Sequence, residues 1–117
     1  MEELKPFTIE RPWGNFRQFN QNSPVTVKIL TVKENEELSL QSHAKRAEFW
    51  RVLKGNGIME TGENKHDVVP GYEQNIPIGV KHKIIAGPSG IQILEIAIGD
   101  FLEEKDEVRY EDKYGRA

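Results

Sequence analysis

The 117-residue chain is long enough for one domain and too short for two, and it carries 16 Lys and Arg against 19 Asp and Glu, a net charge of -3. That balance excludes a general nucleic-acid binder, which needs a basic excess to neutralise phosphates. The chain has no cysteine, so a disulfide framework, a thiolate nucleophile and a cysteine-held zinc site are excluded as well.

In chain order, Met1 to Arg11 is charged and lacks an apolar core region, which is not a signal-peptide pattern. No apolar run approaches the roughly 20 residues needed to span a bilayer. The expectation is a soluble cytoplasmic protein without a membrane partner. Residues 1–20, with Pro6, Pro12 and Asn20, read as an irregular arm. Residues 25–32 are β-branched and roughly alternating, the pattern of a half-buried strand. Residues 50–53, 57–60, 67–69, 74–76, 83–86 and 91–98 read the same way. Turn signals lie between them: Glu34-Asn35-Glu36, Lys54-Gly55-Asn56-Gly57, Thr61-Gly62-Glu63-Asn64, Pro70-Gly71 and Gly87-Pro88-Ser89-Gly90. Helical periodicity is scarce. Many short strands with close turns predict an all-β sandwich or barrel in one domain, 1–117, with the barrel at about 24–100. The last stretch, 101–117, is highly charged and reads either as a solvated tail or as a segment folded back on the barrel. Phe101, Leu102, Val108, Tyr110 and Tyr114 interrupt the charge and favour folding back.

The histidines are His43, His66 and His82. A histidine alone in a strand is commonly structural or exposed, so the setting has to distinguish them. Gln41 and His43 are two apart, which on a strand puts both on one face. Glu48 follows a short connection and opens a strand with Trp50 and Val52 on its face. The pattern lets Gln41, His43 and Glu48 converge from two neighbouring strands, and His82, just after Pro77-Ile78-Gly79, is the fourth candidate. Imidazole, carboxylate and amide oxygen suit a borderline or hard divalent ion and leave room for a substrate oxygen. His66, beside the Glu63-Asn64-Lys65 turn, reads as exposed rather than catalytic. Trp13 and Trp50 read as core or rim packing rather than sugar platforms.

The spacing Gln41-x-His43-x4-Glu48-x6-Gly55 resembles the first cupin motif, with Gln41 where a histidine usually stands. Gly71-x5-Pro77-x-Gly79-x2-His82 resembles the second. Asn35 stands where the first motif usually opens with glycine, a mild swap because asparagine tolerates the left-handed conformation. The resemblance implies a cupin-type double-stranded β-helix, or jelly-roll barrel, and a metal site of Gln41, His43, Glu48 and His82. Arg11-Pro12-Trp13-Gly14, Leu38 to His43, Arg46-Ala47-Glu48 with Trp50, and Asp112 to Arg116 further resemble the type II mannose-6-phosphate isomerase domain. In that family the domain usually forms the C-terminal part of a bifunctional mannose-1-phosphate guanylyltransferase. The glycine-rich nucleotide loop of that enzyme is not in this sequence, so the chain is not expected to make GDP-mannose by itself. Lys45 and Phe49 depart from the family pattern, which has histidines there; neither falls on a ligand position of the cupin spacing.

The resemblance implies one divalent ion, zinc in the first place, with cobalt, manganese, nickel or iron as alternatives. It implies aldose–ketose isomerisation of a small phosphosugar, mannose 6-phosphate to fructose 6-phosphate, through an enediol. Arg46, two before Glu48, is the first choice for a catalytic and substrate contact, by analogy with a lysine similarly placed in type I isomerases; a surface arginine in a turn is the other reading. Lys28 either lines the barrel mouth or lies on an exposed sheet face. Arg109 and Arg116 close over the pocket if the tail folds back, and Arg109 suits a structural ion pair equally. A general base is not evident. The alternatives are a non-catalytic metal cupin that binds a sugar phosphate or sugar nucleotide beside a separate guanylyltransferase, and a different cupin chemistry such as an epimerase or oxygenase. Edge pairing and exchanged terminal strands, common among cupins, imply a homodimer.

Overall fold

The computed structural model describes residues 4–99 and 106–114. Among the described residues there are strands and no helix, hence no helix long and apolar enough to cross a membrane. The all-β expectation holds.

Alternation sets the first barrel strand. In β3 (Val25–Val32), Val27 and Ile29 face outward and are exposed, while Lys28, Leu30 and Val32 turn inward. This strand pairs antiparallel with β8 (His82–Gly99), from Val25↔Ile98 to Val32↔Ile91. On its other side β8 pairs along β5 (Arg46–Thr61). The two halves of β5 take different outer neighbours: β7 (Glu73–Ile76) along Glu48 to Arg51, and β6 (Asn64–Val68) along Gly57 to Thr61. The short β4 (Leu40–Ser42) meets the start of β8 at Gln41↔His82. The interior holds Trp50, Val52, Met59, Val68, Ile76, Ile84, Ile91 and Ile93. On the opposite face of β5 and β8, Phe49 and Ile96 are buried under Leu4 and Phe19.

The segments 54–57 and 87–90, read from sequence as turns, lie instead inside long strands. The expected strands 50–53 and 57–60 are one strand, β5, and 83–86 and 91–98 are one strand, β8. The physical reason is that the two glycine-rich segments face each other, Gly55↔Ile91 and Gly57↔Ala86, with register shifts that mark bulges. Both chains therefore bend together at one corner. Gly55 has φ +78, and a Cβ there would stand 2.1 Å from the Gly90 carbonyl oxygen. Asn35 adopts φ +59, the left-handed conformation expected of the residue standing in for glycine.

The amino-terminal segment is more regular than its prolines suggest. β1 (Phe7–Arg11) and β2 (Gly14–Gln18) form a separate two-stranded sheet closed at Arg11↔Gly14. Pro6 precedes β1 and Pro12 sits in the turn, so neither removes a ladder N–H. The hairpin is tied to the barrel by the Arg17–Glu73 ion pair, with Arg51 reaching the same carboxylate at 2.6 Å. The carboxyl-terminal segment folds back as β9 (Val108–Glu111), paired with β4. Lys113 Nζ then reaches Glu36 at 2.8 Å. Phe101, Leu102 and Arg116 lie outside the described residues.

Candidate metal centre

Three elements bring the central side chains together. His43 immediately follows β4, Glu48 is the third residue of β5, and His82 opens β8. Their ligand atoms lie within 4.8 Å of one another. His43 Nε2 stands 3.2 Å from Glu48 Oε2, and His82 Nε2 stands 3.4 Å from Glu48 Oε1. All three side chains are buried.

The hydrogen bonds around the rings determine which nitrogen is available. His43 Nδ1 donates to the Asp106 carbonyl at 2.5 Å, and His82 Nδ1 donates to the Val80 carbonyl at 3.0 Å. A carbonyl only accepts, so each ring in its neutral form carries the proton on Nδ1 and presents a lone pair at Nε2. Burial pushes His43 below the ordinary imidazole pKa, against the upward pull of Glu48, which favours the same neutral ring. Two lone pairs and a carboxylate thus face one small space. Arg46 answers part of this charge, with Nε donating to Glu48 Oε2 at 3.0 Å and an amino nitrogen 3.4 Å from His43 Nε2. His82 Nε2 is buried without a hydrogen-bond partner. A buried polar atom left so costs about 1–3 kcal/mol. The trio and its orphaned nitrogen fit a divalent cation, which takes nitrogen and oxygen donors of this kind.

Gln41 pairs in register with His82, and its amide nitrogen is engaged by Ser39 Oγ at 3.2 Å. It lines a cavity of about 260 Å³ together with Lys28, Arg46, Trp50, Glu95 and Arg109. Lys28, Gln41, Arg46 and Arg109, singled out separately in the sequence, therefore share one pocket. Arg46 is a buried residue at the start of β5 rather than a surface arginine in a turn. Lys28 faces the barrel interior rather than an outer sheet face. Arg109 both lines the cavity and pairs with Glu107 at 2.6 Å. Arg116 lies outside the described residues. His66 is half-buried on β6 and bonded to the Tyr72 hydroxyl. Trp50 is core, whereas Trp13, expected in packing, is 73% exposed. Of the two family departures, Phe49 packs under Phe19 on the far face of β5, and Lys45 is exposed.

Two residues of the site were not singled out in the sequence. Glu95 is buried on β8, cross-strand from both Lys28 and Trp50. The Trp50 indole N–H is shared between Glu48 Oε1 at 3.1 Å and Glu95 Oε1 at 3.2 Å. Burial, and next the charge of Glu48, push the Glu95 carboxyl up. Burial also pushes Glu48 up, but His82, His43 and Arg46 outweigh it and hold that carboxyl well below the usual range. The signal for Glu95 was present: the inward series Ile91, Ile93, Glu95, Ala97 breaks an apolar alternation with a carboxylate. Asp106, the second, sits among many charged residues and carried no such signal.

A small all-β barrel with a histidine–carboxylate cluster beside an interior cavity defines the cupin class. The fold matches a cupin protein from Bacteroides fragilis with a TM-score of 0.59 at 22% identity, covering 68% of this chain and 70% of that one. More narrowly, the chain belongs to the family described as mannose-6-phosphate isomerase C-terminal, whose model matches residues 2–112. It is 37% identical to the xanthan biosynthesis protein XanB of Xanthomonas campestris pv. campestris over 109 residues, 92% of this chain and 23% of that protein. It is 38% identical to the mannose-1-phosphate guanylyltransferase ManC of Salmonella typhimurium over 112 residues, again 92% and 23%. The chain thus spans about a quarter of the length of the curated relatives it matches.

Proposed function

We propose that the chain is a metal-dependent aldose–ketose isomerase that interconverts mannose 6-phosphate and fructose 6-phosphate through an enediol. The observation that carries this reading is the buried His43–Glu48–His82 trio, joined through Arg46 and Trp50 to a cavity that those two residues line with Lys28 and Arg109, in a chain of this family. In this reading the trio holds one divalent ion, zinc first, with Gln41 as a fourth ligand from the neighbouring register position. When bound, the ion supplies a Lewis acid that polarises the sugar carbonyl and favours loss of the adjacent C–H proton.

The remaining roles fall to the chain's own groups. Arg109 and Lys28 offer cationic donors to the phosphate, and that remote binding energy holds the reacting carbons in place. Arg46, next to the trio, places a buried positive charge where oxyanion character develops. Glu95 is the buried carboxylate of the cavity outside the trio. By that position it takes the proton from C2 and returns it to C1, while a hydroxyl proton shifts from the C2 oxygen to the C1 oxygen. Trp50 bridges Glu48 and Glu95 through one N–H, which aligns the two carboxylates.

A coupled assay that detects fructose 6-phosphate formed from mannose 6-phosphate tests the reading. The full chain, loaded in turn with zinc, cobalt and manganese, is expected to turn over with at least one ion and to stop on chelation. A folded, metal-loaded sample that turns over with none of them overturns the isomerase assignment.

A further inference from the structure

The carboxyl-terminal segment reaches the metal centre through one buried residue. Asp106 is 8% exposed although it lies in the most charged part of the chain. Its Oδ1 accepts the Ala44 N–H at 3.0 Å and its Oδ2 accepts the Lys45 N–H at 2.9 Å. Its backbone carbonyl accepts Nδ1 of His43 at 2.5 Å. One residue therefore grips the two amides that follow His43 and, at the same time, the ring itself. Just after it, Val108 and Arg109 pair with Ser42 and Gln41, so the strand carrying these residues is held from the same side.

Two consequences follow from elementary chemistry. The carbonyl fixes the His43 tautomer, because it admits only a protonated Nδ1 and so aims the Nε2 lone pair at Glu48 and His82. The carboxylate fixes where that carbonyl stands, because its two bonds to the 44–45 amides lock residue 106 against the backbone that bears the imidazole. Charge-assisted bonds of this kind are stronger than neutral ones. Removing the carboxylate takes the acceptor from both amides and frees the carbonyl to leave the ring.

We propose that Asp106 is a positioning residue for metal binding, acting through His43, and that it makes the 106–109 segment part of the metal centre rather than a tail. The proposal rests on the reading of His43, Glu48 and His82 as metal ligands. Outer-shell partners of this type typically change metal affinity about 10–100-fold when removed.

The test is a double-mutant cycle on the full chain, with zinc affinity measured by competition against a chromophoric chelator and by direct calorimetry for the weaker variants. Asp106→Ala is expected to weaken zinc about 10–100-fold. Asp106→Asn, which keeps one acceptor for one amide, is expected to weaken it less. In a His43→Ala background Asp106→Ala is expected to cost nothing further, whereas in a His82→Ala background its loss is expected to persist. Cobalt-loaded Asp106→Ala should also show an altered ligand-field spectrum, which a purely structural role does not produce. The proposal is overturned if Asp106→Ala lowers the thermal midpoint of the metal-free protein yet binds zinc with wild-type affinity. It is equally overturned if the loss is undiminished in the His43→Ala background. If Asp106→Ala does not fold, the same comparisons with Asp106→Asn decide. Wild-type protein that binds no divalent ion overturns the metal reading itself, an outcome distinct from failure of the Asp106 cycle.

Discussion

His82 concentrates the chemistry of the site at the scale of a single residue. Its Nδ1 is committed to the Val80 carbonyl, and its Nε2 is buried with nothing to bond. Replacing it with alanine removes that lone pair while leaving His43 and Glu48 in place. His82→Ala is therefore expected to lower metal affinity by more than the about 10–100-fold typical of an outer-shell loss. Metal content measured on the purified variant checks this, and unchanged content contradicts it. Glu95→Gln separates binding from chemistry: metal content should stay at the wild-type level while kcat falls about 10²–10⁴-fold, the usual contribution of a positioned acid–base group. A variant that loses its metal instead would place Glu95 in the ligand shell. His43, Glu48 and His82 were legible in the sequence because their spacing resembles the two cupin motifs, whereas strand alternation linked only Gln41 with His43. Glu95 was legible only in hindsight, since its inward direction depends on which face of β8 turns to the interior. Asp106 was not legible, because its burial comes from a contact between residues 62 positions apart.

At the scale of elements, the corner shared by β5 and β8 shows how a local signal changes meaning in a tertiary setting. Glycine and proline marked 54–57 and 87–90 as breaks, which they are, but paired breaks in adjacent strands make a bend rather than two turns. Gly55→Ala tests the bend. The new Cβ would collide with the Gly90 carbonyl, and φ +78 is strained for any side chain, so a loss of at least about 1–3 kcal/mol is expected in urea unfolding. A change within a few tenths contradicts the close approach. The hairpin β1–β2 makes a second case. Its prolines suggested irregularity, yet they fall where a hairpin tolerates them, and the pairing partner rather than local propensity decides the outcome. The hairpin leans on Glu73, whose carboxyl is lowered chiefly by the Arg17 hydrogen bond. A carboxyl lowered in the folded state stabilises above its unfolded pKa, and that contribution vanishes as the pH falls through the lowered folded value. Glu73→Gln should therefore cost about 0.5 kcal/mol at pH 7 and progressively less in acid, because this pair is partly exposed. Unfolding midpoints of both proteins from pH 7 to pH 3 check this; a gap that widens in acid contradicts it.

For the whole molecule, the fold follows from a simple division. The bend shared by β5 and β8 folds their inward faces around an apolar core and brings Glu48, near the start of β5, against His82, the first residue of β8, in one polar end. The returning carboxyl-terminal strand closes that polar end; the apolar residues that interrupt its charge, Val108 and Tyr110 among them, pointed to folding back but not to β4 as the partner. The all-β class was thus readable from alternation, the positions of His43, Glu48 and His82 from the resemblance to the cupin motifs, and the folding back from the apolar residues of the last stretch, whereas its partner was not, because that partner is a three-residue strand. In the proposed function, the trio holds the ion on which mannose 6-phosphate isomerisation depends. One measurement tests it most directly: titrating the metal-stripped full chain with zinc while following both bound metal and conversion of mannose 6-phosphate to fructose 6-phosphate. Activity is expected to rise in step with bound zinc and to saturate at one ion per chain. Activity in the stripped protein that zinc leaves unchanged, or saturation with zinc and no conversion, would contradict it.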